Sequence, residues 1–271
     1  MTLEVHSLAS GSSGNAMLAR GRHGDLLIDC GMTRSFLESA LAAAGSDPRR
    51  LRAVVLTHEH TDHARGALAM ARKYHIPIAG SQGTLDAVIA GADFASYVLQ
   101  PLRPTTIDEF SVVGYPVSHD AREPVALSIT ANKVQICYAV DLGQPADHLM
   151  AACASASLVV LESNHDLGRL VRGPYGPDLK ERILGRQGHL SNQDAARVIA
   201  EVSPADRPVQ YWLAHLSAVN NSPRAAIRVT RAALRAAGKS HCAVEVALRD
   251  RPSLRWSSDN HWWQPRLSLD W

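Results

Sequence analysis

No run of about 18 uninterrupted apolar residues, the length a membrane-spanning helix needs, occurs in the chain. Residues Met1 to Leu8 alternate apolar and polar side chains without the basic and apolar regions of an export signal, so neither export nor membrane spanning is expected. Cysteine is sparse. Cys30, Cys137, Cys153 and Cys242 stand apart with no Cys-x-x-Cys spacing, which excludes a sequence-local zinc knuckle or redox pair and reads as free thiols in a reducing cytoplasm. Neither sign of charge is in excess: 28 basic against 26 acidic residues leave a net charge of +2, so any affinity for nucleic acid must come from local clusters. Repeats, low-complexity tracts and a Ser/Gly-rich linker are absent as well. With 46% apolar and 20% charged residues over 271 positions, the chain is expected to fold as one large globular domain.

Short apolar segments bounded by turn residues predict strands at Leu3–Leu8, Asn15–Ala19, Leu26–Asp29 and Ala53–Thr57. Helical periodicity marks Arg34–Ala44 behind Thr33 as N-cap, then His63–Tyr74 and Thr84–Ala90, with a strand at Ile76–Ala79 between them. A second set follows: strands at Phe110–Val117, Val125–Thr130, Val134–Val140, Leu158–Leu161, Val209–Ala214 and Ala243–Leu248, and helices near Ala146–Ala154, Asn192–Val202 and Pro223–Ala237. Two strand sets, each with its own helices, suit an α/β four-layer αββα sandwich. Residues 1–250 are read as that domain and 251–271 as a C-terminal tail, which carries four of the five tryptophans from Trp256 onward.

Histidine is plentiful, with 13 in the chain, and the densest group is Thr57-His58-Glu59-His60-Thr61-Asp62-His63 where a strand runs into a helix. His58 and His60 alternate along a tight turn and can face one point, while Asp62 and His63 can face a second. Two cations about 3.5–4 Å apart, with nitrogen ligands at about 2.0–2.1 Å, suit such a set.

The run is the His-x-His-x-Asp-His signature, and in it the chain resembles the metallo-β-lactamase superfamily. The resemblance implies the αββα fold and assigns further ligands at strand ends: His119, Asp141 and His215. One cation would then take His58, His60 and His119, the other Asp62, His63 and His215, with Asp141 between them; Asp29 would hold a histidine ligand from behind. Ser7 to Asn15, Glu162-Ser163-Asn164-His165-Asp166, Gly173-Pro174-Tyr175, Gly188-His189-Leu190-Ser191-Asn192 and Ala214-His215-Leu216-Ser217 extend the likeness to the YycJ/WalJ-like group over nearly the whole chain from Leu3 to about Cys242. That likeness implies a cytoplasmic, metal-dependent DNA exonuclease of 5′ to 3′ polarity, related to ribonuclease J without its inserted second domain.

The chemistry of these motifs points the same way. Ser10 to Asn15 is a Gly/Ser loop in which Ser12, Ser13 and Asn15 offer donors to a phosphate. His189 precedes a predicted helix, where an anionic oxygen is welcome, and is assigned to transition-state stabilisation. His165 is expected either to support the metal site or to cap its loop. Lys180 and Arg186, in the basic segment leading to His189, are the phosphate candidates, ahead of the stripe Arg224, Arg228, Arg231 and Arg235. The expected reaction is attack on phosphorus by a water deprotonated between two divalent ions, zinc or manganese, with Asp62 orienting it. The acid that protonates the leaving oxygen is left open between His189 and a metal-held water. DNA is the expected partner ahead of RNA, a homodimer is left open, and two other functions compete: a small-molecule metallo-hydrolase (cyclic phosphodiesterase, lactonase or thioesterase) and a noncatalytic nucleic-acid-binding protein.

Overall fold

The computed structural model describes residues 2–259. Its first sheet is built from β1 (Glu4–Ala9), β2 (Ala16–Arg20), β3 (Asp25–Ile28), β4 (Leu51–Val55), β5 (Ile78–Gly80) and β6 (Ser96–Val98). Helices α1 (Arg34–Ala43), α2 (Thr61–Ala64), α3 (Ala67–Tyr74) and α4 (Gln82–Ile89) connect its later strands. The second sheet takes β7 (Pro104–Ile107), β8 (Phe110–Pro116), β9 (Val125–Ala131), β10 (Val134–Ala139), β11 (Leu158–Glu162), β12 (Gln210–Ala214) and β13 (Ala243–Val246). Its connections carry α5 (Asp147–Ser155), α6 (Leu167–Arg172), α7 (Pro177–Leu184), α8 (Asn192–Val202) and α9 (Pro223–Ala236). A last strand, β14 (Arg255–Ser257), returns to the first sheet beside β1.

The sheets run β14-β1-β2-β3-β4-β5-β6 and β13-β12-β11-β10-β9-β8-β7. Each is half antiparallel and half parallel: β3 to β6 are parallel in one, β10 to β13 in the other. Alternation along each strand sends one set of side chains between the sheets and the other toward the helices. Leu26 and Ile28 of β3 join Phe110, Leu127, Val160 and Trp212 in the inter-sheet core. Leu27 lies instead with Leu37, Leu41 and Met70 under the helices of the first sheet. Val159, Leu161 and Leu213 pack under α5, α8 and α9 on the other side. The result is the expected αββα sandwich.

Most elements match the sequence expectation, Thr33 included: its hydroxyl accepts from the Phe36 N–H as the α1 cap. The single helix expected over His63–Tyr74 is in fact two. The chain passes Gly66 so closely to the segment after β3 that its N–H donates to the Cys30 carbonyl at 2.7 Å. A Cβ there would lie 2.5 Å from the Met32 carbonyl oxygen, so the helix breaks where only glycine fits. Strands β6, β7 and β14 and helices α6 and α7 were not expected. The 251–271 tail does not stand apart from the first residue on: β14 lies inside it, and Trp256 is buried in the inter-sheet core. Trp262, Trp263 and Trp271 fall outside the described residues. All four cysteines are buried and unbonded as disulfides. No helix among the described residues is long and apolar enough to cross a membrane.

Candidate metal centre

Parallel strands end on the same side of their sheet, so a crevice at their carboxyl ends collects side chains from separate elements. Asp29 follows β3, Thr57 and His58 follow β4, Asp141 lies just past β10, Glu162 ends β11 and His215 follows β12. Asp29, Asp141 and His215 each turn sharply out of extended backbone with φ of 54°. The N-terminal turn of α2 presents Asp62 and His63, with His60 at its cap position, and the loop after β8 brings His119.

Three donor groups meet with their ligating atoms within 4.8 Å of one another: His58, His60 and His119; Asp62, His63, Asp141 and His215; and Asp141, Glu162, His189 and His215. The histidine rings pack edge-on or tilted, with centroids 4.6 Å apart for His58 and His60 and 5.2 Å apart for His58 and His119. His63 Nε2 lies 2.6 Å from Asp141 Oδ2, and Asp62 Oδ2 lies 3.6 Å from the Nε2 atoms of both His63 and His215. Asp141 belongs to both of the carboxylate-bearing groups, and its Oδ2 lies 3.7 Å from His58 Nε2.

Carboxylates behind the rings fix their tautomers. Asp29, fully buried, accepts from the Thr57 N–H at 2.9 Å, the Tyr138 hydroxyl at 3.1 Å and His63 Nδ1 at 2.7 Å. With Nδ1 turned to Asp29, His63 Nε2 faces Asp141 and the Asn15 side chain. Glu162 does the same from the second sheet, in a role the sequence reading did not foresee. Its Oε1 sits 2.7 Å from His189 Nδ1 and 3.0 Å from His215 Nδ1, while Oε2 accepts the Leu142 and Leu190 N–H groups. In the sequence it reads only as the polar end of an apolar strand; its place at the carboxyl end of a parallel strand, beside a motif already noted, was the available signal.

The donor set fits divalent cations. His58 Nε2 and His215 Nε2 are buried without a hydrogen-bond partner, an expensive arrangement for a polar atom unless a cation takes it. Burial and the surrounding histidines push His58 well below the usual imidazole range, and burial lowers His119 too, which keeps both in the neutral, ligating form. Burial raises the Asp141 carboxyl, but the charges of His215 and His63 outweigh it and hold it well below the usual range. Mixed imidazole and carboxylate donors of this kind suit zinc and manganese alike.

His189 joins this cluster, its ring 5.3 Å from that of His119 and 5.5 Å from that of His215. Burial works to lower its pKa, yet the Glu162 charge and the contacts with Asp141 and Glu162 raise it to about 10. Ser12 rims a cleft of about 170 Å³ with His189, Tyr175, Leu179, Arg182 and Ser217. Ser13 is exposed nearby in the same loop. Arg186 lines a wider cleft of about 680 Å³ that shares Asp120, Arg182 and Gln187 with the first.

Asn15 departs from its expected role as a phosphate contact. It is fully buried and its side chain is spent on Gly11, the Asp62 carbonyl and His63 Nε2 at 3.0 Å, so it braces the loop against the donor cluster. Lys180 is likewise engaged, its Nζ donating to the Val171 carbonyl at 2.8 Å. His165 belongs to none of the donor groups. It is buried, burial lowers its pKa, and its backbone, not its ring, pairs with the loop before α8: the backbone bridges to Ser191 and its carbonyl accepts the Asn192 N–H, while neither ring nitrogen has a hydrogen-bond partner.

Residues 9–164 match the family model described as metallo-beta-lactamase superfamily. Over 225 residues the chain is 32% identical to Exodeoxyribonuclease YycJ of Bacillus anthracis, covering 82% of this chain and 85% of that protein. Over 220 residues it is 31% identical to Exodeoxyribonuclease WalJ of Streptococcus pneumoniae, covering 79% and 81%. Among solved structures, the metallo-beta-lactamase fold protein YhfI of Bacillus subtilis superposes with a TM-score of 0.71 at 18% identity, over 95% of this chain and 99% of that one.

Proposed function

We propose, from the premise that this chain belongs to the metallo-β-lactamase superfamily and its YycJ/WalJ-like group, that it is a dinuclear metal-dependent phosphodiesterase releasing nucleotides from the 5′ end of DNA. The observation that carries this reading is the gathering of seven candidate donors in overlapping groups, together with His189 and its carboxylate partner Glu162. When bound, the cations supply a water of lowered pKa and neutralise charge on the phosphate oxygens.

The chain's own residues do the rest. His58, His60 and His119 would hold one cation, Asp62, His63 and His215 the other, and Asp141 both. Asp62 is the most exposed carboxylate among the candidate donors, with 26% of its side chain accessible, so one oxygen remains to orient the attacking water. Glu162, 2.7 Å from His189 Nδ1, would keep a proton on His189, while Asp141 would be engaged by the cations. His189 then donates from the cleft side toward the phosphate or the leaving oxygen, where negative charge develops. Ser12 and Ser13 at one rim and Arg186 at the other are assigned to flanking phosphates. The inner and outer clefts share three residues and form one groove, which suits a polymer better than a compact substrate. The two curated relatives, both named exodeoxyribonucleases, support DNA as that polymer.

The test is cleavage of end-labelled single- and double-stranded DNA and RNA by metal-quantified protein under zinc or manganese. Release of mononucleotides from the 5′ end of DNA, abolished by His58→Ala, is the expected result. Intact DNA in every condition, from protein carrying its cations, would refute the reading.

A further inference from the structure

Asp120, the residue after His119, has no part in the chemistry above, yet its side chain joins two elements of the site. Its Oδ2 takes both Nε and Nη2 of Arg182 on α7, at 2.8 and 2.5 Å. Its Oδ1 lies 3.2 Å from His119 Nε2. One carboxylate oxygen thus holds a guanidinium while the other faces an imidazole. The second nitrogen of that ring, His119 Nδ1, is buried without a hydrogen-bond partner, which is costly unless a cation takes it.

The other buried donor rings each have a partner that fixes one nitrogen and frees the second. His63 has Asp29, His215 has Glu162, and His58 Nδ1 lies 3.0 Å from the Thr57 hydroxyl. For His119 the residue in that position is Asp120. The loop around it is anchored on either side: the Ser118 hydroxyl donates to the Arg186 carbonyl at 2.7 Å, the Gly143 N–H to the Ser118 carbonyl at 2.9 Å, and the Arg122 N–H to Glu59 at 2.8 Å. These contacts fix the loop, and Asp120 fixes the ring.

Arg182 keeps the carboxylate in place through two donors on a single oxygen. Its side chain is 63% exposed and that of Asp120 31%, so the ion pair by itself adds little to the stability of the fold. Arg182 also lines both clefts, where a free arginine would read as a phosphate contact. Engaged on Asp120, it serves the donor cluster instead.

We infer that Asp120 is a positioning residue for His119, held against Nε2 by Arg182 so that Nδ1 is the nitrogen offered to the cation assigned to His58, His60 and His119. The inference rests on the two-cation reading above and adds two residues behind one of its ligands.

Titration of the zinc-loaded protein with a chromophoric chelator reads this without turnover. The wild type is expected to yield two ions per chain. Asp120→Ala should weaken one of them about 10- to 100-fold and leave the other unchanged. Asp120→Asn keeps an oxygen that can accept from Nε2 and should recover most of that loss. Arg182→Met should weaken the same ion by a smaller factor, and adding it to Asp120→Ala should cost nothing further, because Arg182 acts through the carboxylate. In a His60→Ala background, which lacks the cation in question, Asp120→Ala should leave the affinity of the remaining ion unchanged. Near-ultraviolet circular dichroism of the zinc-saturated variants should superpose on that of the wild type. Unchanged affinity for both ions in Asp120→Ala, equal loss of both, additive losses in the double variant, or a dichroism change that follows the metal loss would each overturn the inference while the two-cation reading stands. A wild type that yields fewer than two ions would refute that reading itself, and the inference with it.

Discussion

Asp29, Asp141 and His215 all occupy left-handed backbone, each with φ of 54°, and none is glycine. Such positions cost about 1–3 kcal/mol each and persist only where surrounding contacts over-determine them. Here the contacts are named: Asp29 is held by Thr57, Tyr138 and His63, and the His215 N–H donates to the Ser10 hydroxyl at 2.9 Å. Glu162 is the residue on which the proposed chemistry turns most sharply. Glu162→Gln keeps the size and removes the charge that raises the His189 pKa. In the proposed mechanism His189 acts as an acid and is competent below its pKa, so activity is expected to fall as pH rises through that value. The variant is expected to show this alkaline fall at lower pH, with kcat reduced about 100-fold and metal affinity about 10- to 100-fold. A pH–kcat profile superposable on that of the wild type would contradict the role. The candidate donors were legible in the sequence because His58 to His63 crowd one turn and the others, His119, Asp141 and His215, each follow an apolar strand. Glu162 was not, since a carboxylate closing the run Leu158-Val159-Val160-Leu161 reads as a solvated strand end. Asn15 was misjudged for the opposite reason: a Gly/Ser loop looks open, yet this one folds back until Asn15 touches His63.

At the scale of elements, the site depends on how tightly α2 is drawn against the loop after β3. The Cys30 N–H donates to the His63 carbonyl at 2.6 Å, and the Asn15 N–H to the Asp62 carbonyl at 2.8 Å. Gly31 makes the approach possible: a Cβ there would fall 1.7 Å from the Asp62 carbonyl oxygen and 2.8 Å from the Asn15 nitrogen. Both obstacles are backbone, so Gly31→Ala must push α2 away and carry Asp62 with it. The expected outcome is a loss of about 1–3 kcal/mol in urea unfolding, together with loss of the cation assigned to Asp62, His63 and His215. Wild-type stability and full metal content in this variant would show that the packing tolerates what the geometry forbids. The break between α2 and α3 follows from the neighbouring close pass at Gly66, and periodicity alone could not reveal it because apolar residues keep helical spacing through the break. Helices α6 and α7 escaped the sequence reading since Gly173-Pro174-Tyr175-Gly176-Pro177 suggests a loop and the flanking helices span only six and eight residues.

For the molecule as a whole, the paired sheets are joined by two kinds of interaction. One is the inter-sheet core, from Leu26 and Ile28 to Trp212 and Val160. The other is the donor cluster at the strand ends, with His58, His60, Asp62 and His63 from the first half of the chain and His119, Asp141 and His215 from the second. Cations bound there would link the halves, and metal binding would couple to folding. The architecture itself was readable from the repeated order of strands and helices, because both faces of each central sheet must be covered. The edges were less so: β6, β7 and β14 are short or partly polar and carry little periodic signal.

The central claim is a pair of cations held by seven residues from both halves, and counting metal tests it most directly. Mass-spectrometric quantification on purified, zinc- or manganese-loaded protein is expected to give two ions per chain for the wild type, one for His60→Ala and none retained for Asp141→Ala. A wild-type chain that saturates with one ion, or an Asp141→Ala chain that keeps both, would contradict the account.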